Sequence, residues 1–288
     1  MNEKQKQCPY YETKCDDLQC FCPKYKAYVD VQNPQLVNNE LEELGVTDNM
    51  DGLEKMMTMQ KHFANRFHPV VQVDKDITDK WNKEYCICIE DEVEELMDYC
   101  KLPIQDDAKY NNTKELKKEI IDILHFMMDI FITGNYSYDK LYSLFNKKRN
   151  TNVQSFNNVF QYCIDEMKKY KLQRATISEL DLFGSRVDLI NLWNYNGNIL
   201  TYQMWNDLLV SFALELLFVN REIRQQISWK HWKKPNASIN YDKLYNAYEE
   251  LFYKFMRLAA FIFEDANEIV NTYIKKNIEN IRRQKNGY

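Results

Sequence analysis

The residues with the clearest chemical potential are two pairs of acids. Glu92-Val-Glu-Glu95 and Glu119-Ile-Ile-Asp122 each hold two carboxylates three positions apart, the spacing that places both on one face of a helix. At about 100° per residue, Tyr85, Cys88, Glu92, Glu95 and Tyr99 form one stripe beside the apolar stripe Ile89, Val93, Leu96 and Cys100. Glu115, Glu119, Asp122 and Phe126 share a face beside Ile123 and Ile130. The acids therefore border an apolar seam. If the two segments pack as an antiparallel helix hairpin, four carboxylates meet. Four uncompensated carboxylates cannot all stay ionised in one small site, so their pKa values rise or cations bind. Hard oxygen donors suit Mg²⁺, which commonly arrives with substrate phosphates. The competing reading is a solvated acidic helix face, because ExxE alone is a weak signal.

The elements that must position these acids are all helical. From about Asp51 the apolar residues follow a helical period, beginning with Leu53, Met56, Met57, Phe63 and Phe67. Asp74 to Asp79 reads as a polar joint. Trp81 to Lys101 reads as an amphipathic helix stopped by Pro103. Asn112 followed by Glu115 is an Asn variant of the capping box, opening a helix that ends near Gly134. Further helices are predicted at 137–148, 154–172, 177–194 and 201–227. Pro235-Asn-Ala-Ser238 breaks the pattern. One long pattern then runs from Tyr241 to about Arg283, kinked near Asp265. No strand alternation of useful length appears. The expectation is an all-α fold, a multi-helix bundle built around an antiparallel helix hairpin that carries the paired carboxylates. Residues 1–50 read as a Cys-rich N-terminal extension and 51–288 as the helical domain.

Composition removes other chemistries. Six glycines and six prolines in 288 residues fall far below the roughly 12% that the two usually contribute. GxGxxG and GxxxxGK[ST] are absent, which argues against Rossmann and P-loop phosphate binding. HExxH and GxSxG are absent as well. A formal charge of −5 argues against wholesale nucleic-acid binding. The longest apolar stretches fall far short of a membrane span. The polar first fifteen residues lack a signal-peptide core. With eight cysteines read as reduced thiols, a cytoplasmic protein is expected.

Several segments together resemble a known family. Glu92-Val-Glu-Glu-Leu-Met-Asp98 followed by Glu119-Ile-Ile-Asp-Ile-Leu-His-Phe126 is similar to the signature of the dimeric all-α dUTPases, within the wider all-α nucleoside triphosphate pyrophosphohydrolases. Met59-Gln-Lys-His-Phe-Ala-Asn-Arg66 resembles the family's Gln-containing first helix. Tyr273-Ile-Lys-Lys-Asn-Ile-Glu-Asn-Ile-Arg-Arg-Gln-Lys-Asn-Gly-Tyr288 resembles its Lys-Asn…Asn…Arg-Gln…Gly-Tyr segment and is the most specific of the three. The resemblance covers roughly 55–135 and 255–288. It implies Mg²⁺-dependent hydrolysis of a deoxynucleoside triphosphate, foremost dUTP, to the monophosphate and pyrophosphate, by a homodimer. It implies that Glu92, Glu95, Glu119 and Asp122 ligate Mg²⁺, with Glu95 also activating the attacking water. It implies that Gln60 and Asn65 lie near base and sugar, and that Lys276, Asn277, Asn280 and Arg283 hold phosphates.

Two departures from the family pattern leave other readings open. The Trp-Lys-x-Trp segment expected after the first acidic helix is replaced by Tyr99-Cys-Lys-Leu-Pro103. A similar string, Trp229-Lys-His-Trp232, stands far downstream. The chain also ends at Tyr288, where family members often continue. Another pyrimidine triphosphate (dCTP or a modified one) and a catalytically inactive helical binding or regulatory module are the alternatives.

Two further features have two readings each. Cys8, Cys15, Cys20 and Cys22 crowd into fifteen positions without paired CxxC knuckles. They offer either a structural Zn²⁺ site or free thiols in an extension. His125 is either a partner of a carboxylate ligand or an interface histidine satisfied elsewhere. Cys86, Cys88, Cys100 and Cys163 lie in apolar patterns and are expected in the core.

Overall fold

The computed structural model describes residues 31–67, 75–101, 112–169, 202–227 and 239–285. Among these residues there are nine helices and no strand. They are α1 (Pro34–Glu43), α2 (Gly52–Phe67), α3 (Lys75–Lys101), α4 (Asn112–Thr133), α5 (Tyr138–Arg149), α6 (Phe156–Lys169), α7 (Tyr202–Ile227), α8 (Tyr241–Ile262) and α9 (Ala266–Lys285). The expected all-α fold is what the chain adopts. No described helix is long and apolar enough to cross a membrane. The expectations that fall outside the described residues include the helix at 177–194, the stop at Pro103, the break at Pro235-Asn-Ala-Ser238, the string Trp229-Lys-His-Trp232, and Cys8, Cys15, Cys20 and Cys22.

Local chemistry explains where the helices begin and end. α4 stops because Asn135 takes a left-handed conformation, φ 51°, and the Tyr136 N–H closes back on the Phe131 carbonyl at 2.8 Å. Gly134 lies against the Tyr248 ring, and a Cβ there would come within 2.9 Å of it. Asn135 is thus the left-handed residue and Gly134 the close-approach residue. Ser137 caps α5, accepting from the Lys140 N–H. Asn150, at φ 51°, ends α5. Asp51 ties three elements together, accepting from the Leu53 N–H, the Tyr142 hydroxyl and the Phe156 N–H.

Two sequence expectations are corrected here. The stretch from Asp74 to Asp79 is not a joint, because α3 already begins at Lys75. Its polar residues form the first turns of a long helix. The C-terminal pattern from Tyr241 to Arg283 is not one kinked helix but two, α8 and α9, separated at residues 263–265. The cause is a reciprocal cap. Asp265 accepts from the Glu268 N–H at 2.8 Å, while Glu268 accepts from the Glu264 N–H at 2.9 Å.

Packing then builds the frame of the site. α3 and α4 run antiparallel: Asn82 meets Thr133, the Tyr85 ring lies 6.4 Å from the Phe126 ring, and Glu92 reaches Glu119. Their seam is filled by fully buried Ile89, Val93, Leu96, Ile120 and Leu124. α7 backs onto the other side of α3, where the Asn220 amide donates to the Cys86 carbonyl and Arg224 pairs with Glu90. α8 closes the core behind α4 through the Phe131–Tyr248 edge contact. α2 and α9 lie across α4 and are joined to it by polar side chains described below. α1 is fixed to the end of α9, with Glu40 accepting from Lys285 at 2.9 Å.

Candidate active site

The acids of α3 and α4 meet as the helical spacing implies, but unequally. Glu92, Glu119 and Asp122 each offer a carboxylate oxygen, and these oxygens lie within 4.8 Å of one another. Glu119 is buried, while Glu92 and Asp122 are half-buried. Glu95 is exposed at the rim and is not part of that cluster, though its charge acts on both Glu92 and Glu119.

The electrostatics follow from crowding in a partly dry place. Burial pushes the pKa of Glu92 up to about 8, and the charges of Asp122, Glu119 and Glu95 add to the effect. Glu119 is raised as well, first by burial, with Lys118 opposing. Glu92 and Glu119 share a hydrogen bond, so one proton serves the pair. Among the described residues, compensating cations are few. Lys276 on α9 donates to Asp122 at 2.9 Å. Lys118 stands 3.9 Å from Glu119 with its side chain about half exposed. A hard divalent cation fits this donor set. It would replace the shared proton and satisfy several oxygens at once, with no soft ligand among them.

Beyond the acids, α4 continues towards a neutral, hydrogen-bonded region. His125 Nδ1–H donates to the Ile121 carbonyl at 2.8 Å, and the ring stacks on Tyr273 with centroids 4.2 Å apart. Burial holds its pKa down at about 4, so the ring is neutral near pH 7. It also lies 4.0 Å from Asp122. Of its two readings, the interface histidine describes its contacts better. Gln60 on α2 is buried and makes three hydrogen bonds. Its Nε2 donates to Asp129 at 3.0 Å, and its Oε1 accepts from the Tyr273 hydroxyl and from Asn277 Nδ2, each at 2.8 Å.

The other residues singled out by sequence fall in distinct places. Lys276 faces the acids. Arg283 pairs with Glu279, a buried carboxyl that also feels Lys276 and Asp122. Asn280 is half-buried on the same helix. Asn277 is completely buried and turned to Gln60, so it joins the neutral region. Asn65 is exposed at the end of α2. Cys86 and Cys163 are buried and Cys88 is half-buried; the Cys100 side chain falls outside the description.

Asp129 and Glu279 were missed by the sequence reading. Asp129 lies seven positions after Asp122, hence on the same face of α4, and that period was a usable signal. Glu279 carried no motif. Its position is visible only when α9 is laid against α4.

The family model described as dUTPase matches residues 52–207 of the chain, more than half of it. The match includes α2, α3 and α4, which carry Gln60 and the acids, and stops short of α9. No curated protein and no solved structure matches the chain.

Proposed function

The chain belongs to the all-α dUTPase family, and on that premise we propose that it hydrolyses a deoxynucleoside triphosphate, foremost dUTP, to the monophosphate and pyrophosphate with Mg²⁺. The observation that carries this reading is the three-carboxylate cluster of Glu92, Glu119 and Asp122, which is under-compensated and faced by Lys276.

Glu92, Glu119 and Asp122 would hold Mg²⁺, with Glu95 joining from the rim. Bound there, the ion supplies charge neutralisation of the phosphates and of the oxygens that gain charge during transfer. The protein's own groups do the rest. Glu95, exposed beside the cluster, orients the attacking water and takes its proton. Lys276 and Arg283 approach from α9 and hold phosphate oxygens, which stabilises charge where it develops. Asn280 lies on the same helix. Gln60 faces the nucleoside, and the buried apolar walls of α2 and α4 keep water from it. Asn65, at the open end of α2, stands towards the sugar.

The test is pyrophosphate release from a panel of deoxynucleoside triphosphates with and without Mg²⁺. Glu95→Gln and Asp122→Asn should abolish turnover with helicity retained; full turnover in both variants would falsify the site assignment. A second reading, another pyrimidine triphosphate, is favoured by Tyr99 standing near Glu119 in place of the family's tryptophan segment. The same panel separates the two.

A homodimer is part of the proposal. Leu214 and Phe218, one turn apart on α7, are 41% and 65% exposed, which is apolar area a second copy can cover. Light scattering that finds only monomer removes it. Zinc at Cys8, Cys15, Cys20 and Cys22 is proposed as a structural site. Metal analysis of the full chain against one lacking residues 1–30 decides this, because equal zinc content in both excludes it.

A further inference from the structure

Gln60 has a simple hydrogen-bond inventory. Its amide oxygen has two lone pairs, and both are used, by the Tyr273 hydroxyl and by Asn277 Nδ2. Its amide nitrogen has two hydrogens, and one is used, by Asp129 Oδ1. One N–H therefore remains. The amide could present an oxygen instead only by rotating half a turn. Rotation would set Oε1 against the Asp129 carboxyl and Nε2 against two donors. Tyr273 and Asn277 could adapt, because a hydroxyl rotates and the Asn277 amide can turn. Asn277 Oδ1 has no hydrogen-bond partner where it stands. Asp129 is the group that cannot adapt, since an ionised carboxylate only accepts.

We propose that Asp129 is a positioning residue for base selection, locking the Gln60 amide so that it offers the nucleotide base a single N–H donor. This rests on the reading above that Gln60 faces the nucleoside. Asp129 lies seven residues beyond Asp122 on one face of α4, about 10 Å along the helix axis. The distance suits a nucleoside whose phosphates lie at the acids. A lone donor complements a carbonyl oxygen and repels an amino group. Uracil carries a carbonyl where cytosine carries an amino group, so the lock favours a base of the first kind. A site that satisfies its own buried polar groups only with the right base discriminates far better than an apolar wall. The geometry fits this role better than a purely structural one. A buried acid serving the core alone would be expected to have a cation or several donors, whereas Asp129 has the Gln60 amide.

The test compares wild-type full-length protein with Asp129→Asn, using pyrophosphate release from dUTP and dCTP in Mg²⁺ at pH 8. Asparagine keeps the shape but can turn its own amide and donate to Gln60 Oε1, which permits the rotated state. The expected result is at least a tenfold fall in the dUTP-to-dCTP ratio of kcat/KM, carried by KM, with kcat on dUTP within a few-fold. An unchanged ratio overturns the proposal, even if both activities fall together, because a structural role would lower them in parallel. Asp129→Ser serves if Asp129→Asn does not fold. Its hydroxyl can donate to Gln60 Oε1, and a ratio that falls several-fold supports the lock while an unchanged ratio overturns it. Wild-type protein that releases pyrophosphate from neither nucleotide overturns the nucleotide reading itself and this proposal with it. An active wild type with an unchanged variant ratio overturns the lock alone.

Discussion

Glu249 on α8 and Glu119 on α4 are both buried carboxylates on long apolar helices, yet their surroundings are opposite. Glu249 has its cations. Lys148 lies 2.7 Å away, Arg149 pairs with it directly, and the Arg149 guanidinium is centred 3.6 Å over the Tyr253 ring. Burial still raises its pKa, but the pairs hold α5 against α8. Glu119 instead meets Glu92 and Asp122, with only Lys276 and the outlying Lys118 nearby among the described residues. The first cluster is electrically finished and works as a clamp. The second has fewer cations than acids among the described residues, so the fold tolerates it at some cost in stability. Under the proposed function, this acid cluster at the seam of the helices that match the family would be completed by a cation.

That contrast predicts opposite effects of similar substitutions. The largest belongs to Glu95→Gln, expected to lower pyrophosphate release by about 10²- to 10⁴-fold as loss of a general base does. Its melting temperature should stay unchanged, because the side chain is exposed. Glu92→Gln should cost at least about 100-fold in turnover, beyond the loss usual for a ligand's outer partner. It should nevertheless raise the melting temperature of metal-free protein at pH 8, since it removes a crowded charge. A lowered temperature there would mean that the acids stabilise the fold. Glu249→Ala should do the reverse. It should destabilise by about 3 kcal/mol, measured by denaturant unfolding, and leave turnover per folded molecule intact.

The pH dependence sharpens the same comparison. Glu92 binds its proton more tightly folded than unfolded, with a folded value of about 8 against an ordinary 4.5. Its contribution to stability is therefore complete below about pH 4.5 and lost as pH rises through 8. Metal-free protein should melt several degrees lower at pH 8 than at pH 5. Added Mg²⁺ or Glu92→Gln should flatten that slope. A smaller effect concerns the neutral region. Burial lifts the Asp129 pKa to about 7. The titratable groups facing it, Tyr85 and Cys88 from α3 and Tyr273 from α9, are all pushed upward and stay neutral there. A protonated Asp129 can donate, so the dUTP-to-dCTP ratio should rise several-fold from pH 6 to pH 8. Taking the ratio cancels the titration of the metal-binding acids.

Much of the fold was legible because helix formation is local. The period of apolar residues marked α2, α4, α5 and α6, and Asn112 with Glu115 marked the start of α4. The break between α8 and α9 was also written locally, in Asp265 and Glu268, but a continuous apolar pattern on both sides concealed it. In the site, spacing alone put Glu92 beside Glu95 and Glu119 beside Asp122. It could not say that Glu92 is half-buried in the cluster and Glu95 exposed at its rim, since three residues of spacing leave two acids about 60° apart and only the position of α4 decides which one it covers.

The sequence by itself determined a helical chain with two acidic faces and a basic last helix, because helical period and side-chain charge are properties of short segments. Only the tertiary structure decided which acids crowd together, that Glu279 approaches them from 157 residues beyond Asp122 in the chain, and that Asp129, Gln60, Tyr273 and Asn277 form one hydrogen-bonded set. Those facts depend on α2, α4 and α9 converging. Burial and polarity at such a junction come from partners distant in sequence, and no local pattern encodes them.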